Sequence, residues 1–308
     1  MDMDTFLTTV YVMADDYCQA QQIDWPVLPG PAPSLRVSEV ITLALLSRWA
    51  RFRSERDFYR YAQQRLRSAF RRLPQYSQFN RLVRAAGPWL TGFSQHLVAQ
   101  LKARACAYEV LDTLGCPTRD AKRRGNGWLA GEANIGYCGR LGWYEGLSVI
   151  TSVTPEGIIT GFGCAPASTK EQPYAESFLA ARAFPVARLP EAGPPALGPY
   201  LTDNGFYGRP NQQRWAQDYA AQVISPPRRS QPGAWSKAGR RWLAGLRQIA
   251  ETVHDKLLNA FRLDRERPHH LQGFRARLAA SVALHNFCIW LNVRLGRPKL
   301  AFADLLAW

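Results

Sequence analysis

The chain has 308 residues, 39 of them Lys or Arg against 24 Asp or Glu, so its formal net charge is +15. Its content of 46% hydrophobic and 12% aromatic residues excludes a disordered chain, and no uninterrupted apolar run reaches the roughly 18 residues of a membrane-spanning helix. Six scattered cysteines without a CxxC pair (Cys18, Cys106, Cys116, Cys138, Cys164 and Cys288) argue against a disulfide framework or structural zinc.

The positive charge favours a polyanionic partner through counterion release and electrostatic steering, and nucleic acid is the first candidate. The acidic start MDMDTF lacks the basic flank of a signal peptide, so a soluble, cytoplasmic protein without a membrane partner is expected. Single domains usually run roughly 100–200 residues. Two domains are therefore expected, residues 1-104 and residues 105-308.

Residues 1-104 read as all-helical. VSEVITLALLSRWARF carries Val40, Ile41, Leu43, Leu45, Leu46 and Trp49, the pattern of a core helix, with Ser38 as its expected N-cap. Ser54 and Asp57 fit a capping box ahead of Phe58, Tyr61 and Leu66, and the two helices together resemble a helix-turn-helix. A third helix is predicted from about Ser77 to Ala103, broken near Gly87-Pro88 because the proline ring opposes continuation. Ten arginines lie between Arg51 and Arg84: Arg51, Arg53, Arg56, Arg60, Arg65, Arg67, Arg71, Arg72, Arg81 and Arg84. The guanidinium fork suits phosphate, so this bundle is a candidate grip on a DNA backbone.

From Ala105 onward the texture changes to strands and turns. AYEVLD is a short apolar run, with Asp112 at its end. LSVITSV and GIITGFGCA are β-branched runs joined through TPEG, where Pro155 and Gly157 predict a hairpin. KEQPYAESFLAARAF reads as a helix, PVARLPEAGPPALGP as an exposed linker, and PYLTD as a strand ending at Asp203. A helix from Pro210 to Ala220 precedes the strand AQVIS. The basic loop PPRRSQPGAWSKAGRR then leads into the long helical segment RWLAGLRQIAETVHDKLLNAFRL, and a last helix is predicted from Leu271 to Leu295. This order is the one expected of an α/β, RNase H-like core, a mixed β-sheet flanked by helices.

Asp112, Asp203 and Glu251 are candidates for one metal site. Phosphodiester transfer needs an in-line nucleophile, a stabilised leaving oxygen and neutralised phosphate charge. Two Mg2+ ions about 4 Å apart held by carboxylates supply all three. Arg247 stands four positions before Glu251, on the same helical face, placed to orient that carboxylate or to hold a phosphate. Glu251 and His254 also form an ExxH pair, half of a helical di-iron site, which would require a further such pair and more glutamates on facing helices.

VLDT, LTDNGFYG and RQIAETVHDKL together resemble the DDE transposases of bacterial insertion sequences. The likeness spans about Cys106 to Asn292 and ends in LHNFCIWLN. It implies an RNase H-like catalytic domain in which Asp112, Asp203 and Glu251 bind two Mg2+ ions, with Mn2+ as a substitute, and in which Arg247 belongs to the catalytic set. It further implies cleavage of the element's ends and their joining to target DNA. The expected partners are double-stranded DNA, as element ends and target, and a second copy of the chain, a homodimer on nucleoid-associated DNA. The chain departs from the family at Ala244 and Leu258, where relatives carry Tyr and Lys, and GWYEGLSV lacks the Lys and His common on that strand. A DNA-binding protein without cleavage activity and an RNase H-like nuclease are the alternative readings of the same residues.

Overall fold

The computed structural model describes residues 1–27, 29–118, 129, 131–184, 190–230, 233–265 and 267–308. In chain order its elements are α1 (Met3–Ala20), α2 (Val37–Leu46), α3 (Glu55–Arg65), α4 (Tyr76–Ala85), α5 (Gly87–Gln100), β1 (Glu109–Pro117), β2 (Asn134–Cys138), β3 (Gly142–Val153), β4 (Ile159–Pro166), α6 (Glu171–Ala183), β5 (Tyr200–Leu201), α7 (Arg209–Tyr219), β6 (Val223–Ile224), α8 (Lys237–Asp255) and α9 (Leu271–Arg294). They form two compact units, one of Met1–Leu97 with Leu257–Trp308, the other of Val98–Lys256. The expected boundary of 1-104 and 105-308 therefore needs correction at the C-terminus, because residues 257–308 belong with the N-terminal helices. Among the described residues no helix is long and apolar enough to cross a membrane.

The first unit is helical throughout. α9 is buried on nearly every face, Phe274, Leu278, Val282, Phe287 and Leu291 included, and a helix without a polar face must be wrapped by others. α2 and α4 pack against it, and the Phe6 ring meets the edge of Phe287 at 5.5 Å. Glu55 is buried and accepts from Arg277 of α9 at 2.7 Å and from Asn80 of α4 at 2.5 Å, which ties three helices together. Ser54 caps α3 through the Asp57 amide at 3.1 Å, as its spacing predicts, while the Asp57 carboxylate accepts from the Arg53 amide at 2.9 Å, one residue before the cap. Ser38 does not cap α2. That helix begins two residues earlier, with Arg36 as its N-cap, Glu39 accepts from the Arg36 amide at 2.7 Å, and the Ser38 hydroxyl donates to Asp15 instead. The break at Ala86, between α4 and α5, falls where Gly87-Pro88 places it.

The second unit is α/β, with a mixed sheet flanked by helices. β3 carries β1 along one edge and β4 along the other, both antiparallel, while β2 pairs with its first residues. β5 runs parallel to β1, and β6 parallel to β5. The β3–β4 hairpin turns as TPEG predicts: Gly157 takes a φ of 85°, and its amide donates to the Thr154 carbonyl at 2.9 Å. β2 is a strand the sequence did not announce. Its residues NIGYC are largely exposed, so no apolar alternation marks it. Residues 185–189 of the expected linker and residues 231 and 232 of the basic loop lie outside the described residues.

Side chains of β1 alternate between two packed faces. Leu111 joins Phe178, Leu179 and Trp215 under α6 and α7. Val110 and Leu201 instead join Leu243 and Ala250 of α8. On the α6 side Glu109 is 1% exposed and pairs with Arg182, also 1% exposed, at 2.7 Å. Thr160 donates to the same carboxylate at 2.7 Å, Ser152 donates as well, and Arg182 Nε donates to the Pro194 carbonyl at 2.7 Å. Removing one member of a buried, hydrogen-bonded pair leaves an uncompensated charge. Arg182→Ala should therefore lower stability by about 3–5 kcal/mol, read from the midpoint of urea unfolding. Replacing the pair together, Glu109→Leu with Arg182→Met, should recover part of that loss.

Candidate active site

The parallel register of β1 and β5 places the two aspartates side by side. Val110 is opposite Leu201, and Asp112 and Asp203 each lie two residues further on. Alternation therefore turns both toward the face that α8 covers. Neighbouring strands are about 4.8 Å apart, so the two carboxylates begin as neighbours before any loop is considered. Asp112 does not end its strand as its apolar run suggests. β1 continues to Pro117 because β3 pairs with it throughout, from Val110↔Val153 to Pro117↔Gly146. The strand that ends is β5, and Asp112 lies just past that end.

Asp203 opens a tight turn in which its Oδ1 accepts the Gly205 amide at 2.9 Å. Gly205 lies against Glu171: a Cβ there would land on the Glu171 carboxylate and force that side chain aside. Glu171, the first residue of α6, thus reaches the Asp203 turn, and it also accepts from the Thr113 hydroxyl at 3.4 Å. Arg247 of α8 closes the group. Its Nη2 donates to Asp112 Oδ2 at 3.2 Å, with both side chains largely buried.

The electrostatics of the group are those of carboxylates crowded out of water. Burial raises Asp112 above its usual range, against the opposing pull of Arg247 and the Thr113 amide. Burial also raises Asp203, with Arg247 opposing and the charge of Asp112 adding to the rise. Glu171 is pushed up to about 7, by burial first and then by the charges of Asp203 and Asp112. Among the described residues no group of three or more His, Cys, Asp and Glu side chains is arranged to hold an ion. The donors that face one another here are all hard carboxylate oxygens, which suit Mg2+ or Mn2+ by chemistry.

Glu251 lies one turn beyond Arg247 on the same face of α8, and it is exposed. One further turn brings His254, which is buried and points at the sheet. Its Nε2 is 2.8 Å from the Thr151 hydroxyl, and Thr151 is the cross-strand partner of Asp112. Burial pushes His254 down to about 4, so near neutral pH its imidazole is uncharged, and its Nε2 is engaged with the Thr151 hydroxyl. The structure thus gathers Asp112, Asp203 and Arg247, adds Glu171, and leaves Glu251 exposed on the helix that supplies Arg247.

The group opens into a cleft of about 510 Å3 lined by Asp203, Asn204, Pro226, Pro227, Arg229, Lys237, Arg240, Arg241, Ala244 and Arg247. Five cations face one carboxylate there. Ala244 is part of this wall. No family model, no curated protein and no solved structure matches the chain.

Sequence reasoning missed Glu171 because an acidic residue in the first turn of a helix reads as a complement to the helix dipole. The signal that could have found it is indirect, namely the glycine held at 205 beside it. Because folding raises the pKa of Glu171 from 4.5 to about 7, the fold favours its protonated form. That contribution is complete below about pH 4.5 and is lost as pH rises through 7. Glu171→Gln should therefore make the metal-free protein more stable than the parent above pH 7 and leave it nearly unchanged near pH 4.5, as read from thermal midpoints across that range.

Proposed function

We propose that this chain is a DDE transposase of the insertion-sequence type, which cleaves the ends of a DNA element and joins them to target DNA by metal-dependent phosphodiester transfer. The observation that carries the reading is the joining of two opposite features in one place. Asp112, Asp203 and Glu171 are gathered where β5 ends beside β1, and the same group opens into a cleft walled by Arg229, Lys237, Arg240, Arg241 and Arg247. Carboxylates that repel one another call for a cation, and five cations call for a polyanion. A phosphodiester with divalent ions satisfies both.

Asp112 and Asp203 would hold the ion, with Glu171 and Glu251 as the further carboxylates of the set; bound there, it would neutralise phosphate charge and help generate the nucleophile. The cleft cations would fix the strand, and arginines suit this because the guanidinium presents a fork to phosphate oxygens. His254 and Thr151 would keep the floor beneath Asp112 in place. Nine of the ten arginines between Arg51 and Arg84 are exposed, which supports the helical unit as a second grip on duplex DNA. Eight residues separate α2 from α3, more than the 3–4 of a helix-turn-helix connection; the basic surface, rather than that motif, supports DNA binding. The order strand, hairpin, helix, strand, helix, strand, helix supports an RNase H-like core, with β2 as an addition. Joining two ends requires them to be held together, so the active form is proposed to be a homodimer on DNA.

The test uses the full-length protein, Mg2+ or Mn2+, a supercoiled plasmid and duplexes taken from the DNA flanking the gene. Metal-dependent nicking and covalent joining of a pre-cut end are expected. Asp112→Asn and Asp203→Asn should reduce both to the level seen without metal while DNA retention persists. Cleavage that survives in both variants would refute the site, and hydrolysis without joining would mark a nuclease instead.

A further inference from the structure

Arg247 belongs to both halves of the site at once. Its guanidinium donates to Asp112 through Nη2 at 3.2 Å, and its charge also acts on Asp203 and Glu171. The same side chain lines the basic cleft with Arg240 and Arg241. A committed arginine–carboxylate pair is usually bidentate, with bonds of about 2.7–2.9 Å. This contact is longer and engages one nitrogen, while the buried Nε finds no hydrogen-bond partner among the described residues. Arg247 therefore holds donors in reserve. It is also a monovalent cation beside carboxylates that are proposed to hold a divalent one.

We infer that Arg247 exchanges partners during the catalytic cycle, neutralising Asp112 before the metal arrives and passing to a DNA phosphate in the cleft once the metal takes the carboxylates. The inference rests on the proposed metal-binding role of Asp112 and Asp203. Its physical basis is charge. A divalent ion on Asp112 supplies the neutralisation that Arg247 had supplied and repels the guanidinium, and the cleft beside it offers the phosphate oxygens that fit the fork. No bond is made or broken in the protein beyond hydrogen bonds. Metal and DNA then favour each other through one residue, as linkage requires.

The experiment measures Mn2+ affinity by calorimetry on the DNA-free, full-length protein, and duplex affinity in EDTA and in Mn2+. Removing a competing charge at this distance should matter by at least about tenfold, the scale on which a near charge shifts a carboxylate equilibrium. Arg247→Gln should therefore bind Mn2+ about tenfold tighter than the parent, and its loss of duplex affinity should be larger in Mn2+ than in EDTA. Arg247→Lys keeps the charge and should bind Mn2+ like the parent, which separates charge from packing. Unchanged or weaker Mn2+ binding by a folded Arg247→Gln, or an equal loss of duplex affinity in both conditions, would overturn the exchange. Asp112→Asn is titrated in parallel. If it binds Mn2+ as the parent does, the metal-site reading fails, and that outcome is distinct from a failure of Arg247 alone.

Discussion

The alternation of side chains along β1 is the constraint on which the second unit depends. A strand buried on both faces must send successive residues to opposite neighbours, and in β1 both neighbours are helices. Glu109 and Leu111 go to the α6 side, whereas Val110 goes to α8. Asp112 follows Val110 by the same rule. A one-residue slip in the β1–β3 register would exchange the faces, placing Asp112 among the Phe178 and Trp215 side chains and Glu109 beneath α8.

That alternation separates two ion pairs with different physical characters. Glu109 and Arg182 are sealed, and the surrounding hydroxyls and a backbone carbonyl complete their hydrogen bonds. The pair anchors α6 to the sheet and has no route to solvent. Asp112 and Arg247 share one longer contact at the edge of a cleft, with part of the guanidinium unused. Burial without full satisfaction costs stability. It also leaves both groups able to take other partners, which is what a site for ions and phosphates needs.

The helical unit was legible in its local signals and less so in its extent. The Ser54–Asp57 cap and the Gly87-Pro88 break follow from chemistry within a few residues. The placement of α9 does not, since an all-round apolar helix fits any core large enough to enclose it. Chain order placed it with the strands it follows, whereas packing places it with α2 and α4. β2 was missed for the opposite reason: its exposed residues form an edge by hydrogen bonding to β3, not by burying side chains.

By itself the sequence determined the candidates Asp112, Asp203 and Arg247, because strand-forming runs, an Asp-Asn-Gly turn and helical spacing are local properties. It also determined the basic character of the chain, which needs no fold at all. Tertiary structure alone decided that β1 runs past Asp112, because antiparallel pairing to β3 outlasts parallel pairing to β5. It decided that Glu171 joins the aspartates, because residue 171 at the start of α6 meets the turn at Gly205 only in the folded chain. It decided the state of Glu251 as well: helical period places that residue on the face of Arg247, but exposure depends on how closely α8 lies on the sheet, and that distance is set by side chains far away in sequence.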